Sequence, residues 1–460
     1  MPEDPTVTDP ASSPEPASAP DPTAVIKSRS YLLLLVLGAV IGIPVAAVAY
    51  FFLDAVSEVQ TQIFINLPKD LGFHGEPAWW PLPWLALSGV LVALAIRYLP
   101  GTGGHEPSEG FKSGGPVQPI ELFGVVAAAF ATLSLGVVLG PEAPLIAIGS
   151  GLGVLAVHLV KRDAPPMAAV VIGAAGSFAA IATLLGSPLV GAFLLMEMVG
   201  LGGPMMEIVL IPGLLAAGVG SLIFVGLDSL TGLGSFSLAV SSIPHVGSPN
   251  GIEFLWAIVI GVAGAVVPTG IFRLATLLHH IVVPRRILLT PVMGLAVGGL
   301  AIAFAEGTGR SSSEVLFSGQ SALPSLVQQA ATWSVGALVL LVLCKGLAYA
   351  ISLSSFRGGP IFPSMFIGAA GGIALSHVGG LPMIAGAAMG VGAMIAGALK
   401  MPFTAVLLPC LLFLSDAVTL MPLVIVAVVV SYVVAVWIKP STPPADVPAQ
   451  APTPAPASTG

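Results

Sequence analysis

The sequence predicts an all-α membrane protein with many helices arranged in two halves. Of its 460 residues, 56% are hydrophobic and only 8% are charged, and the mean hydropathy is +1.00. Apolar runs near the ~20 residues that a helix needs to cross a bilayer recur between residues 31 and 438. With shorter and interrupted runs included, we expect about a dozen or more membrane-embedded helices.

The first membrane-length run follows a short basic segment. Lys27 and Arg29 precede it, which favours a cytoplasmic N-terminus and a multi-pass protein of the cell membrane. The acidic, Pro-rich residues before Lys27 differ from the basic start of a signal peptide. The runs of membrane length cover residues 31–53, 82–98, 208–225, 252–272, 286–304, 333–353 and 420–438.

Composition divides the chain into five parts, and both tails are expected to be disordered because they are rich in Pro, Ala and Ser. The parts are an acidic, Pro-rich tail (1–30), a first membrane half (31–231), a Gly- and Ser-rich connector (232–251), a second membrane half (252–439) and a Pro/Ala-rich tail (440–460).

Each half contains a helix interrupted by Gly and Pro, at residues 140–144 and 358–363. Paired interruptions of this kind predict a transporter built from an inverted repeat. The first interruption carries Glu142, inside an otherwise uncharged run over residues 123–158. A carboxylate at membrane depth is costly and indicates a functional site, and broken helices at that depth line cavities or are buried in protein. The combination predicts an ion pathway.

The charge pattern excludes a nucleic-acid interface. The net charge of −7 comes mostly from the tails, since residues 1–26 hold five acids and no base. Lys and Arg do not cluster as they do on nucleic-acid-binding surfaces. We expect no cofactor and no metal, and the bilayer is the only large partner that composition requires.

Four short segments together resemble the CLC family of chloride channels and chloride/proton antiporters. They read Gly-Thr-Gly-Gly-His-Glu at 101–106, Gly-Pro-Glu-Ala-Pro at 140–144, Gly-Ser-Pro-Leu-Val-Gly-Ala at 186–192 running on to Glu197, and Gly-Gly-Pro-Ile-Phe-Pro at 358–363. The resemblance spans about residues 31–439. It implies a homodimer with one pore per subunit, in which broken helices from two inverted halves meet at a central site for chloride or a similar anion.

Backbone amides, not cations, are expected to hold the anion. Helix-start N–H groups carry partial positive charge, and conduction needs weak, multiple sites. No Lys or Arg falls between Lys112 and Lys161, which suits that design. The anion-binding residues that the resemblance implies are Thr102, Gly103, Gly140, Glu142, Ile361 and Phe362.

Glu142 matches the family's gating glutamate, whose carboxylate competes with the anion and swings away when it is protonated. The alternative is a carboxylate paired structurally within the helix bundle. Thr102 matches the central serine of the family and keeps its hydroxyl donor, although a helix-capping role is an equal alternative. His105, in the same loop, is expected to be solvated.

The fourth segment departs from the family pattern at Pro360. The two amides that face the anion in the family fall on Pro360 and Ile361, and proline has no N–H to donate. Either one contact is lost, or the register shifts so that Ile361 and Phe362 donate.

The proton pathway departs further. Glu197 aligns with the acid that ends the third segment, and the next position, where the family's antiporters place an internal proton-transfer glutamate, is Met198. The family's late tyrosine is also missing, since none follows Tyr432. We therefore expect uncoupled or loosely coupled anion flux, with chloride/proton antiport as the alternative.

Two other function classes are alternatives to anion transport by a CLC-like protein. Ser150, with His158 or His279 as base, would make an intramembrane hydrolase, but Gly-Ser-Gly in a membrane helix is more often a packing motif. A transporter of another fold, for a cation or an organic solute, is the remaining alternative.

Overall fold

The computed structural model describes residues 22–111, 115–200, 204–232, 238–240 and 245–438. Most of both expected disordered tails, and parts of the connector, lie outside these residues. Helices dominate the described part of the chain. Its single β-bridge joins Gly140 to Gly359.

The first half contains nine α-helices, and α9 ends at the expected start of the connector. They are α1 (Pro22–Ile26), α2 (Arg29–Thr61), α3 (Leu67–Asp70), α4 (Pro81–Tyr98), α5 (Leu122–Ser134), α6 (Glu142–Val160), α7 (Pro166–Leu185), α8 (Pro188–Val199) and α9 (Pro204–Thr231).

The second half contains eight, and its first helix begins where the connector was expected to end. They are α10 (Gly251–Val282), α11 (Arg286–Thr308), α12 (Ala322–Gln328), α13 (Val335–Ser355), α14 (Ile361–Ser376), α15 (Met383–Leu399), α16 (Pro402–Leu412) and α17 (Ala417–Ile438).

Eight helical stretches in the described residues are long and apolar enough to cross a membrane, and five shorter apolar helices accompany them. The shorter group includes α14, which is too short for an ordinary full span, and large apolar side chains are exposed along α2, α10 and α17. A surface of that kind suits lipid. The prediction of a multi-pass helical membrane protein is confirmed.

Helix packing repeats between the halves. In the first half α7 packs on α2 and α9, and in the second half α15 packs on α10 and α17. The helix that follows each break also packs on its successor, α6 on α7 and α14 on α15. Corresponding helices meet across the two halves as well, α4 with α11 and α8 with α16. The two-half architecture expected from the paired breaks is therefore present.

Close glycine contacts hold the paired helices together. A side chain on Gly176 would overlap the backbone of Gly149 where α7 meets α6, and one on Gly390 would overlap the backbone of Gly368 where α15 meets α14. Small residues of this kind let membrane helices approach backbone to backbone. The same device in both halves fixes the helices that start at the breaks.

Candidate functional site

The two broken helices meet head to head. The N–H of Gly140 donates to the carbonyl of Gly359 at 2.7 Å, and the N–H of Gly359 donates back to the carbonyl of Gly140 at 2.6 Å. Helix α6 starts two residues after Gly140, and α14 starts two residues after Gly359. The N-terminal ends of both helices, with their unsatisfied amides, are thereby brought to one place.

The Glu142 carboxylate lies at this junction and is fully buried. Its Oε1 accepts a hydrogen bond from the Phe362 N–H at 2.8 Å. Its Oε2 has no hydrogen-bond partner in the described part of the chain. A side chain on Gly359 or on Gly140 would overlap Oε2. The two glycines therefore provide the space that the carboxylate occupies.

These contacts indicate which backbone amides at the junction could face an anion. The Phe362 N–H donates to the Glu142 carboxylate, which is compatible with the shifted register that Pro360 requires. The expectation for Gly140 needs correction, because its N–H is already donated to Gly359. Gly140 contributes its lack of a side chain instead.

Two cavities lie next to the chain segment that contains Glu142. One, of about 270 Å³, is lined by Leu139 and Pro141 together with polar side chains that include Gln60, Ser318 and Gln320; we call it the Pro141-side cavity. The other, of about 440 Å³, is lined by residues 101–105, Ala143, Pro144, Arg357 and Gly358, among others; we call it the Thr102-side cavity. The chain neighbours of Glu142 thus line different cavities, Pro141 the first and Ala143 the second.

The Thr102 loop differs from the expected helix start. Thr102 is in the left-handed region, at φ 49° and ψ 29°, inside a 3₁₀ turn over Pro100–Gly103. This conformation is strained for a β-branched residue. The turns Pro107–Glu109 and Pro119–Glu121 follow. After this loop, the next α-helix in the described residues starts at Leu122. A helix-capping role for Thr102 is therefore wrong, and Thr102 and Gly103 instead line the Thr102-side cavity.

An unexpected charged cluster supports this loop. Oε1 of Glu106 accepts from Arg357 at 2.8 Å and from Arg286 at 2.9 Å, while its Oε2 lies 2.8 Å from Nε2 of His279. Burial alone would raise the pKa of Glu106, but the hydrogen bonds and charges of these three groups lower it to about 2. Glu106 is therefore ionised at neutral pH and can pair with the two arginines.

Sequence reasoning missed Arg357, which is 3% exposed. Its guanidinium forms part of the wall of the Thr102-side cavity, and the expectation that backbone amides, not cations, hold the anion stays a prediction. The available signal was an arginine directly before Gly358, at the end of a long apolar run. His105 is half-buried in the same loop, and its Nε2 contacts the Gly110 carbonyl at 2.7 Å.

Comparison with known proteins decides the family. The model of a family described as voltage gated chloride channel matches residues 18–211 and 88–436, which together cover most of the chain. The chain belongs to the CLC family. Among curated CLC-like relatives, "Putative ion-transport protein YfeO" of Escherichia coli O17:K52:H18 and that of Escherichia fergusonii are each 29% identical over 368 residues, which is 77% of this chain and 82% of the relative.

Solved CLC structures share the fold. A slow cyanobacterial Cl⁻/H⁺ antiporter matches with a TM-score of 0.70 at 20% identity, covering 87% of this chain and 94% of that one. A CLC-type fluoride/proton antiporter matches with a TM-score of 0.62 at 19% identity, covering 88% and 95%. The predicted CLC-like fold is confirmed.

Glu197 of this CLC protein has a capping contact. Its Oε1 accepts from the Phe403 N–H at 2.7 Å, and its Oε2 accepts from the N–H and the hydroxyl of Thr404 at 2.7 and 2.6 Å. These donors lie in the first turn of α16, where a carboxylate satisfies unpaired amides. The contacts support a structural role for Glu197, and Met198 beside it carries no proton.

Tyr349 is a further residue that the sequence did not reveal. It is fully buried, donates to the Pro360 carbonyl at 2.9 Å and lies 3.3 Å from Oγ of Ser364. These contacts tie α13 to the start of α14.

The residues of the hydrolase alternative are engaged elsewhere. Oγ of Ser150 accepts from the Val117 N–H at 3.2 Å. The two ring nitrogens of His279 contact Glu106 and, at 2.9 Å, the Ser354 carbonyl. The pairing of Ser150 with His279 that nucleophilic catalysis requires is not formed in this structure. The alternative of a transporter with another fold is wrong, because the fold is that of CLC proteins.

Proposed function

We propose that this protein carries chloride or a similar small anion across the cell membrane, past a gate formed by Glu142. The observation that supports it most is the Glu142 carboxylate itself, fully buried on the Phe362 amide, with its chain neighbours Pro141 and Ala143 lining two different cavities. A carboxylate oxygen occupies the position in which a permeating anion would meet the same N–H group. Anion and carboxylate would then compete for it, and protonation would release the carboxylate.

Backbone dipoles make this junction suitable for rapid passage. The starts of α6 and α14 direct partial positive charge at it. Such a site binds an anion without the tight hold of an adjacent full cation, and conduction requires weak binding at several positions. The buried Gly140–Gly359 bridge fixes the two helix starts relative to each other.

We propose uncoupled or loosely coupled transport, because the internal acid expected of an antiporter is not in place. Met198 occupies the position after Glu197, and Glu197 is hydrogen-bonded at the start of α16. Chloride/proton antiport is the second candidate, since Glu142 itself can carry a proton and the two structural neighbours are named as proton antiporters. We also propose that the protein is a homodimer.

The decisive measurement is chloride efflux from liposomes that contain the purified protein, with internal pH recorded at the same time. We expect a chloride efflux rate that increases with the amount of protein in the liposomes. This efflux should move few or no protons against their gradient. Stoichiometric uphill proton movement would establish antiport instead. Empty liposomes and liposomes with a heat-inactivated sample serve as controls, and a lack of chloride efflux relative to them would refute the substrate assignment.

Thr102→Ala is expected to change anion selectivity. Thr102 lines the Thr102-side cavity, and the substitution removes its hydroxyl donor but keeps a Cβ. A lost neutral hydrogen bond costs about 1 kcal/mol, so relative permeabilities among chloride, nitrate and fluoride should shift roughly fivefold. Anion-replacement flux assays measure this shift. An identical selectivity series in the variant would place the hydroxyl off the pathway.

A further inference from the structure

The proposed function leaves one buried cation without a role. Arg357 directly precedes the two glycines of the second break and lines the Thr102-side cavity together with Thr102 and Gly103. Its side chain is almost completely buried and packs against Gly103, where a Cβ would crowd the Arg357 stem. A buried charge is costly unless it is paired and hydrogen-bonded. The hydrogen bonds of Arg357 therefore show how many of its N–H groups are left to bind a ligand.

The described contacts of Arg357 leave donors available. Its Nε donates to the Thr102 carbonyl at 3.3 Å, its Nη2 donates to Glu106 at 2.8 Å, and its Nη1 makes a long contact of 3.5 Å with the Phe356 carbonyl. A guanidinium has five N–H groups and no acceptor. Three of them make these contacts, two have no hydrogen bond among the described residues, and the side chain belongs to a residue of the cavity wall.

The charge of Arg357 is only partly balanced. Glu106 shares the same oxygen between Arg357 and Arg286 and gives its other oxygen to His279. Glu109 acts on Arg357 only through its charge.

The acid and the histidine that line the cavity are also held. Glu121 accepts from the Gln118 N–H at 3.0 Å, and His105 contacts the Gly110 carbonyl. The cavity wall therefore holds one guanidinium, from Arg357, and one carboxylate, from Glu121, while the carboxylate that contacts Arg357 directly is shared with Arg286.

We propose that Arg357 forms a second anion-binding position, on the Thr102 side of Glu142, which takes small monovalent anions and favours planar oxyanions such as nitrate. This inference rests on the proposed function and deepens it. Two N–H groups of one planar guanidinium match two oxygens of an oxyanion, whereas a spherical halide uses them less well. The Glu106 carboxylate weakens the hold on any anion, as passage requires.

Bromide in crystals of the full-length protein is the direct probe. We expect anomalous density within hydrogen-bond reach of the Arg357 guanidinium, absent in Arg357→Gln and retained in Arg286→Gln. Arg286 is the matched control, because it bonds the same oxygen of Glu106 but does not line the cavity. Bromide that persists in Arg357→Gln, or bromide found only at the Phe362 amide, overturns the Arg357 position and leaves the proposed function intact. Bromide at neither place, with no anion flux, overturns both.

Anion titration calorimetry and flux give an independent readout. Loss of a charge-assisted hydrogen bond should weaken chloride and nitrate binding in Arg357→Gln about tenfold or more. Arg286→Gln should stay within about twofold of the unmodified protein, because it leaves the cavity donors in place. Equal losses in both variants would show that only the charged cluster matters, and would overturn the inference.

Two further variants separate anion binding from ion pairing. Glu106→Gln combined with Arg357→Gln removes both partners of the pair, so a binding defect that persists supports the anion position, and full recovery overturns it. Arg357→Lys keeps the charge without the planar fork. Nitrate binding should fall more than chloride binding in Arg357→Lys, and an equal change for the two anions would refute the oxyanion preference.

Discussion

Glu142→Gln is expected to make anion flux nearly independent of pH. In the unmodified protein, flux should rise as pH falls, because protonation removes the charge with which Glu142 holds the Phe362 amide. One titrating carboxyl changes the open fraction by up to about tenfold per pH unit. Glutamine has nearly the same size but does not titrate, so the pH dependence should disappear while flux stays high. Glu142→Ala, which empties the position, should give a still higher flux.

Chloride flux in liposomes between pH 4.5 and 8 checks this expectation. Glu197→Gln is the matched control, since Glu197 is also a carboxylate in a family-like segment but caps α16. That variant should keep the pH dependence and lose thermal stability. If Glu142→Gln retained the pH profile of the unmodified protein, Glu142 would be a structural carboxylate and another group would gate the pore.

Apolar run length and the positions of Gly and Pro predicted a helical membrane protein of two halves with broken helices, while the CLC-like fold came from the resemblance of four short segments. Membrane-length runs require helices, and the two breaks at residues 140–144 and 358–363 marked where helices start at membrane depth. Glu142 was found because an acid inside a long uncharged run has few structural explanations. The head-to-head bridge between Gly140 and Gly359 was beyond reach, because it depends on how the two halves pack.

Partners across the fold account for what the sequence could not reveal. The donors at Thr404 that satisfy Glu197 lie about two hundred residues away in the chain, and so does the Arg357 that contacts Glu106. A helix-capping role was one of two alternatives for Thr102, but its loop forms a strained 3₁₀ turn, and Arg357 donates to the Thr102 carbonyl. Local sequence shows which groups are polar, and only the fold shows what each one meets.

Gly359→Ala is expected to act as a wedge that displaces the gate. Gly359 has no side chain and does not have a positive φ, so the backbone accepts alanine without strain. The new methyl group would overlap Oε2 and Cδ of Glu142, the end of a flexible side chain, and would lie 2.9 Å from Glu142 Cβ, which requires a small shift of the helix start as well. The carboxylate should therefore leave its position on the Phe362 amide. Flux should then increase several-fold at the upper end of the pH range, where we expect the unmodified gate to be closed, and lose most of its pH dependence.

Flux measurements on single and double variants test the wedge. Gly371→Ala is the matched control, because a methyl group there meets no neighbouring atom and α14 remains intact. It should behave as the unmodified protein. Gly359→Ala should add nothing in the Glu142→Ala background, since the group that it displaces is already gone, and such non-additivity is the signature of direct contact. Additive effects, or a Gly359→Ala variant with unaltered pH dependence, would show that the buried carboxylate seen here is not the closed gate.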